Sequence, residues 1–111
     1  MPIKKKKRKI VCICGSSRFC QEIAITKWEF EKLGKIALGL HLLPSWYMPV
    51  KHHGAEFEGV AETLDQVHFS KIDIADEIFI FNKNGYVGNQ TAKEIKYAKK
   101  KKKKIVYLEE I

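Results

Sequence analysis

The chain has 111 residues, of which 45% are hydrophobic and 31% charged, a balance typical of one small globular domain and not of a disordered chain. No apolar run reaches the roughly 18 residues needed to cross a bilayer, so we expect no membrane contact. The net charge of +8 comes from two basic runs, 4–9 and 99–104, because residues 10–98 hold 9 basic and 11 acidic side chains. A nucleic-acid partner is therefore not favoured.

The sequence divides into a basic N-terminal run, residues 1–9, and one α/β domain, residues 10–111. Apolar runs typical of buried strands alternate with stretches of helical periodicity. The predicted strands are 10–14, 36–43, 78–81 and 105–108, and the predicted helices are 19–33, 56–72 and 91–102. This alternation predicts a three-layer α/β/α fold, Rossmann-like or flavodoxin-like, with a parallel four-stranded sheet in the order 2-1-3-4.

Three cysteines, Cys12, Cys14 and Cys20, make a poor disulfide framework, which favours a reduced, cytoplasmic setting. A C-x-C pair without a second Cys/His pair at metal spacing predicts no metal site, and we expect no cofactor. Cys20 falls in the first turn of the first helix, where we interpret it as a packing residue.

In such sheets, ligands bind at the carboxyl ends of the strands where the strand order reverses, here strands 1 and 3. Strand 1 is followed by Gly15-Ser16-Ser17-Arg18, whose backbone N–H groups, hydroxyls and guanidinium suit an anion such as phosphate. The alternative is a plain turn with a serine helix cap and a solvated arginine. The lysine runs lie near the opposite end of the sheet.

The loop after strand 3 spans 82–90 and contains Gly85-Tyr-Val-Gly88. Its glycines indicate either a close approach to a ligand or a loop that needs positive φ. Thr91 and Glu94 have the spacing of a helix capping box, and the alternative places the Glu94 carboxylate at the pocket rim. His68 lies on the apolar stripe of the second helix, which by itself indicates a buried histidine.

Five segments together show a family resemblance. The segment Cys14–Arg18 resembles the phosphate-binding turn of the 2′-deoxynucleoside 5′-phosphate N-hydrolases. Further segments are similar to the nucleoside 2-deoxyribosyltransferases and to short phage and bacterial proteins of that kind: Leu64–His68, Lys71–Phe81, Gly85–Ala98 and Ile105–Leu108. The resemblance implies cleavage of the N-glycosidic bond of a deoxynucleoside or its 5′-monophosphate, by hydrolysis or by transfer.

The resemblance also implies roles for residues. Glu94 would be the catalytic nucleophile. His68 departs from the family, which has an aspartate at this position, and a histidine there could give a proton to the leaving base. Substrate and phosphate binding would involve Gly15, Ser16, Ser17, Arg18, Asn82, Gly85, Tyr86, Gly88, Asn89 and Gln90. Relatives complete their sites across an interface, which implies a homodimer.

Two other functions fit the same residues. One is a non-catalytic nucleotide-binding or sensing module on this fold, which would bind without turnover. The other, less favoured, is a nucleic-acid-associated protein that uses its lysine runs. Trp46 and Tyr47 could stack on a base or cover the pocket, and the alternative is a lid on the core or a subunit contact.

Overall fold

Four strands and three helices alternate along the chain in a computed structural model that describes residues 7–41, 43, 47 and 59–110. In chain order they are β1 (Ile10–Gly15), α1 (Cys20–Lys32), β2 (Ile36–Leu38), α2 (Ala61–Ile74), β3 (Glu77–Phe81), α3 (Asn89–Lys100) and β4 (Lys104–Tyr107). Short 3₁₀ turns, Ser17–Phe19 and Lys83–Gly85, follow β1 and β3. No helix in these ranges is long and apolar enough to cross a bilayer.

The strands form one parallel sheet in the order β2-β1-β3-β4, which confirms the predicted topology. In the register of the two central strands, Cys12 pairs with Ile78 and Cys14 with Ile80. Alternate residues of a strand point to opposite faces, so these four side chains share one face of the sheet.

Each face of the sheet has its own core. On one face, Cys12 and Ile80 pack with Ile72 of α2 and Ala98 of α3. On the other face, Ile13 and Phe81 pack with Ile23 of α1. Burying each large aliphatic side chain contributes about 1.5–3 kcal/mol relative to exposure. Helices thus cover both faces, and the fold has the three layers that were predicted.

Element boundaries differ most between the first and second helices. The second strand is shorter than predicted, since β2 ends at Leu38 and not at residue 43. The second helix was expected to begin at residue 56, but α2 begins at Ala61 and residues 56–58 lie outside the described residues. The prediction for Trp46 also falls outside them.

The described parts of the basic runs, residues 7–9 and 99–104, lead into β1 and β4 at the amino edge of the sheet, as expected, and some of their side chains make specific contacts. Arg8 donates to the Gly34 carbonyl at 3.0 Å, and Lys9 pairs with Glu77 at 3.2 Å. Lys103 donates through Nζ to two carbonyls at the end of α2, those of Asp73 and Ala75, at 2.7 and 2.8 Å. These three side chains therefore make specific contacts with the domain and are not simply solvated.

Candidate functional site

A cavity of about 510 Å³ opens at the carboxyl end of β1, beside α2 and α3. This is the location that the strand order predicts for a ligand. Its described lining comes from the turn after β1, the segment after β2, α2, the loop after β3 and the first two turns of α3: Gly15, Ser16, Ser17, Gly39, Leu40, His41, Ala61, Leu64, Asp65, His68, Lys71, Tyr86, Gly88, Asn89, Gln90, Thr91 and Glu94.

The turn after β1 forms one wall of the cavity. Ser16 accepts a hydrogen bond from the Arg18 backbone N–H at 3.2 Å and caps the 3₁₀ turn, which is the predicted serine cap. Ser16 and Ser17 line the cavity. The Arg18 side chain is exposed and lies 3.7 Å above the Tyr86 ring, outside the described lining. The guanidinium thus lies next to the cavity, and its contact with Tyr86 connects the turn after β1 with the loop after β3.

The loop after β3 divides into a structural part and a cavity-lining part. The buried Asn82 amide donates to the Glu109 carbonyl and accepts from the Glu109 N–H, both at 2.9 Å. Gly85 has a φ of +73° and also lies outside the lining. Tyr86 and the residues from Gly88 to Gln90 face the cavity. Asn82 therefore holds the end of β3 to the segment after β4, and it does not line the cavity as predicted.

The start of α3 excludes the capping box. α3 begins at Asn89 with Gly88 as its N-cap, and no side chain caps it. Thr91 is therefore the third helical residue, and the capping interpretation of Thr91 and Glu94 is wrong. Glu94 instead lies in the second turn, is only 3% exposed and faces the cavity.

The Glu94 carboxylate has one oxygen with a hydrogen bond and one without. Oε2 accepts from the Gln90 amide at 3.4 Å. Oε1 is buried without a hydrogen-bond partner and lies 3.5 Å from Nε2 of His68. Burial raises the pKa of Glu94 above its ordinary value, and the neighbouring His68 only partly opposes this.

Two cysteines complete the surroundings of His68. Nε2 of His68 lies 3.2 Å from Sγ of Cys14 and 3.8 Å from Sγ of Cys12. Burial disfavours a charged imidazole, but the contact with Cys12 and the charge of Glu94 outweigh it and raise the pKa of His68. Hydrogen bonds from Cys14 and His68 lower the pKa of Cys12 to about 5, whereas the contact with Cys12 and burial raise that of Cys14. The Cys12–Cys14 pair therefore favours a state with one thiolate, which lies on Cys12.

Sequence reasoning missed Cys12 and Cys14 as neighbours of the site. Both were assigned to the core, and their partner His68 is more than fifty positions away in the chain. Their spacing on one strand was the available signal, because residues i and i+2 share a face. Lys71, which donates to the Gly39 carbonyl at 2.8 Å, was also missed. The packing interpretation of Cys20 is wrong, since its side chain is exposed at the start of α1.

The structure brings together most of the residues that the family resemblance singled out, on both sides of one cavity. No protein-family model matches the chain, and no curated protein or solved structure is significantly similar to it.

Proposed function

We propose that the protein cleaves the N-glycosidic bond of a 2′-deoxynucleoside or its 5′-monophosphate, with Glu94 as the nucleophile. The observation that carries this proposal is the buried Glu94 carboxylate at the cavity, with one oxygen free of hydrogen bonds. A desolvated carboxylate with a free lone pair is suited to attack a carbon that develops positive charge.

The proposed reaction proceeds in two steps and uses Glu94 and His68. An oxygen of Glu94 bonds to the anomeric carbon through an oxocarbenium-like transition state, while the bond to the base nitrogen breaks and its electrons leave with the base. The departing base takes a proton, for which His68 is the proposed donor, consistent with its raised pKa. Water, or a second base in a transferase, then cleaves the sugar ester and restores the carboxylate.

The cavity mouth supports recognition of the rest of the substrate. The Ser16 and Ser17 hydroxyls and the Arg18 guanidinium provide donors for a 5′-phosphate on one side. The Tyr86 ring, 36% exposed, offers an aromatic edge beside them. At the start of α3, Asn89 and Gln90 add amide groups, and the positive end of the helix dipole favours an anion.

The test is release of free base, measured by chromatography, from the four deoxynucleosides and their 5′-monophosphates. Glu94→Gln keeps the shape of the side chain but removes the nucleophile, so we expect base release to fall at least about a thousandfold. Glu62→Gln is the matched control, because Glu62 is an exposed carboxylate in the first turn of α2 and outside the lining. It should retain full activity.

Circular dichroism should show both variants folded. Turnover by Glu94→Gln equal to that of the wild type would refute the nucleophile. Absence of turnover in the folded wild type, combined with nucleotide binding, would favour the sensing module instead. Turnover restricted to the monophosphates would support the turn after β1 as the phosphate site.

A further inference from the structure

The cluster beneath the cavity contains more ligating atoms than glycosidic chemistry uses. Sγ of Cys12, Sγ of Cys14 and a ring nitrogen of His68 all lie within 4.8 Å of one another, and all three residues are buried. Both sulfurs approach the same nitrogen, Nε2, at 3.8 and 3.2 Å. Two sulfurs and one imidazole nitrogen are the donor set that Zn²⁺ prefers.

The two sulfur–nitrogen distances are close to those of a tetrahedral zinc centre. With Zn–S near 2.3 Å and Zn–N near 2.0–2.1 Å, a tetrahedral site separates sulfur from nitrogen by about 3.6 Å. The two observed sulfur–nitrogen distances lie on either side of this value. The two thiols and the imidazole thus supply three of the four ligands of such a centre.

The Glu94 carboxylate next to the three ligands provides a second observation. Its Oε1 lies 3.5 Å from Nε2 of His68 and is the one buried side-chain nitrogen or oxygen atom among the described residues that lacks a hydrogen-bond partner. Buried polar atoms of this kind are rare, because leaving them unsatisfied is costly. A cation held by the two sulfurs and His68 would neutralise the thiolates and place positive charge near Oε1.

We propose that Cys12, Cys14 and His68 form a binding site for a thiophilic divalent cation, Zn²⁺ being the ion that fits best. The site goes beyond the proposed function and does not rest on it, since it is defined by the three side chains alone. Binding releases the remaining thiol proton, because thiolates are the ligating form.

Where the proposed function also holds, the ion and the substrate compete for the same groups. A bound cation takes the nitrogen of His68 and attracts the neighbouring Glu94 carboxylate, so the metal-free protein is the active form. Glycosidic cleavage does not need the two thiols. Their role is then to select a thiophilic cation at a site whose occupation inhibits the reaction.

The first experiment titrates Zn²⁺ into the reduced, chelator-stripped full chain in competition with a chromophoric chelator. We expect one ion per chain. Cys12→Ser should weaken binding at least about a hundredfold, because loss of an outer-shell partner alone costs 10–100-fold. Cys20→Ser is the matched control, since that thiol is exposed at the start of α1, and it should bind Zn²⁺ as the wild type does.

A second measurement does not depend on any variant folding. Co²⁺ added to the wild type should give the charge-transfer bands of thiolate ligation and the visible bands of a tetrahedral ion. A folded wild type without stoichiometric Zn²⁺ binding, or a Co²⁺ spectrum without thiolate bands, would overturn the site. The sequence also contains two consecutive histidines, His52 and His53. Binding that survives Cys12→Ser but is lost in a His52→Asn, His53→Asn double variant would also overturn the proposed site, because it would assign the ion to these two histidines.

Zinc in the base-release assay separates the two proposals. Metal binding with no base release under any condition means that only the glycosidase proposal fails. Base release without metal binding means that only the cation site fails. Base release that stops at one equivalent of Zn²⁺ and returns with chelator supports both.

Discussion

Gly15 shows how closely the residues around the cavity are packed. A Cβ atom at this position would lie 3.0 Å from Cβ and 3.3 Å from the backbone oxygen of Phe81. Phe81 lies directly opposite in the neighbouring strand, so neither atom can rotate away. An alanine here would force the two strands apart by a few tenths of an ångström, whatever the ligand.

We predict that Gly15→Ala lowers the free energy of unfolding by about 1–3 kcal/mol, the usual cost of overpacking. Gly39→Ala is the matched control, since its nearest atoms would lie 3.6 Å away, an ordinary contact, and the change should be neutral or stabilising by up to about 1 kcal/mol. Urea unfolding measures both. Equal midpoints for the two variants would contradict the packing argument.

Individual residues around the cavity differ in how well the sequence predicts their roles. The sequence placed Gly15, Ser16 and Ser17 at the cavity because they follow a buried strand. Glu94 remained open between cap and site, since the choice depends on whether α3 begins at Asn89 or near Thr91. With α3 beginning at Asn89, Glu94 is the sixth helical residue, one turn beyond the position from which a side chain reaches back to the helix start, so a small error in a boundary changes its role completely.

At the scale of elements, the end of α3 is unusual. Its last turn closes with the Lys102 N–H bonded to the Lys99 carbonyl and the Lys103 N–H bonded to the Ala98 carbonyl, each at 3.0 Å. This is a Schellman motif, in which glycine normally occupies the left-handed position. Here Lys102 takes it, with a φ of +58°.

We predict that Lys102→Gly stabilises the protein by about 0.5–1 kcal/mol, because glycine removes the strain of positive φ. Lys101→Gly removes the same charge one residue earlier, at a φ of −82°, and should give no such gain. Thermal or urea unfolding of the two variants tests the difference. Equal stabilisation of both would assign the effect to charge repulsion within the run.

The lysine run also explains why this boundary was misplaced. Six identical side chains contain no glycine and no change of polarity to indicate where the helix ends, so the predicted end was residue 102, two residues late. The first helix contrasts with it, since α1 ends at Lys32 and Gly34 follows at a φ of +86°, a clear sequence signal for a helix end.

At the scale of the whole molecule, charge and cavity lie at opposite edges of the sheet. The basic runs enter β1 and β4 at their amino ends, whereas the cavity opens at the carboxyl end of β1. Binding of nucleic acid through the runs would therefore be independent of the cavity.

We predict that replacing lysines 4–7 and 99–101 with glutamine abolishes retention on DNA at low salt and leaves base release within about twofold of the wild type. Arg8, Lys9 and Lys103 are kept because they form structural contacts. Retention of the wild type should decline steeply with salt, as phosphate contacts require. DNA binding that survives the replacement would place the contact elsewhere on the protein.

The fold was the most predictable level. Alternating strands and helices leave few topologies once crossovers must be right-handed, and the order 2-1-3-4 is confirmed. The contact of Cys12 and Cys14 with His68 could not be predicted, because it depends on how α2 lies across β1. The homodimer stays a prediction.

The cavity lining and the exposed apolar side chains of α1 lie on different parts of the molecule. Among the described residues, α1, β2, β3 and β4 contribute nothing to the cavity lining, which comes from Gly15 at the end of β1, from α2 and α3, and from the segments after β1, β2 and β3. Ile25 and Trp28 of α1, 61% and 63% exposed, can therefore be varied without touching the cavity. For an engineer, α1 is thus a place to add labels, improve solubility or attach the protein to a surface while the cavity lining is left unchanged.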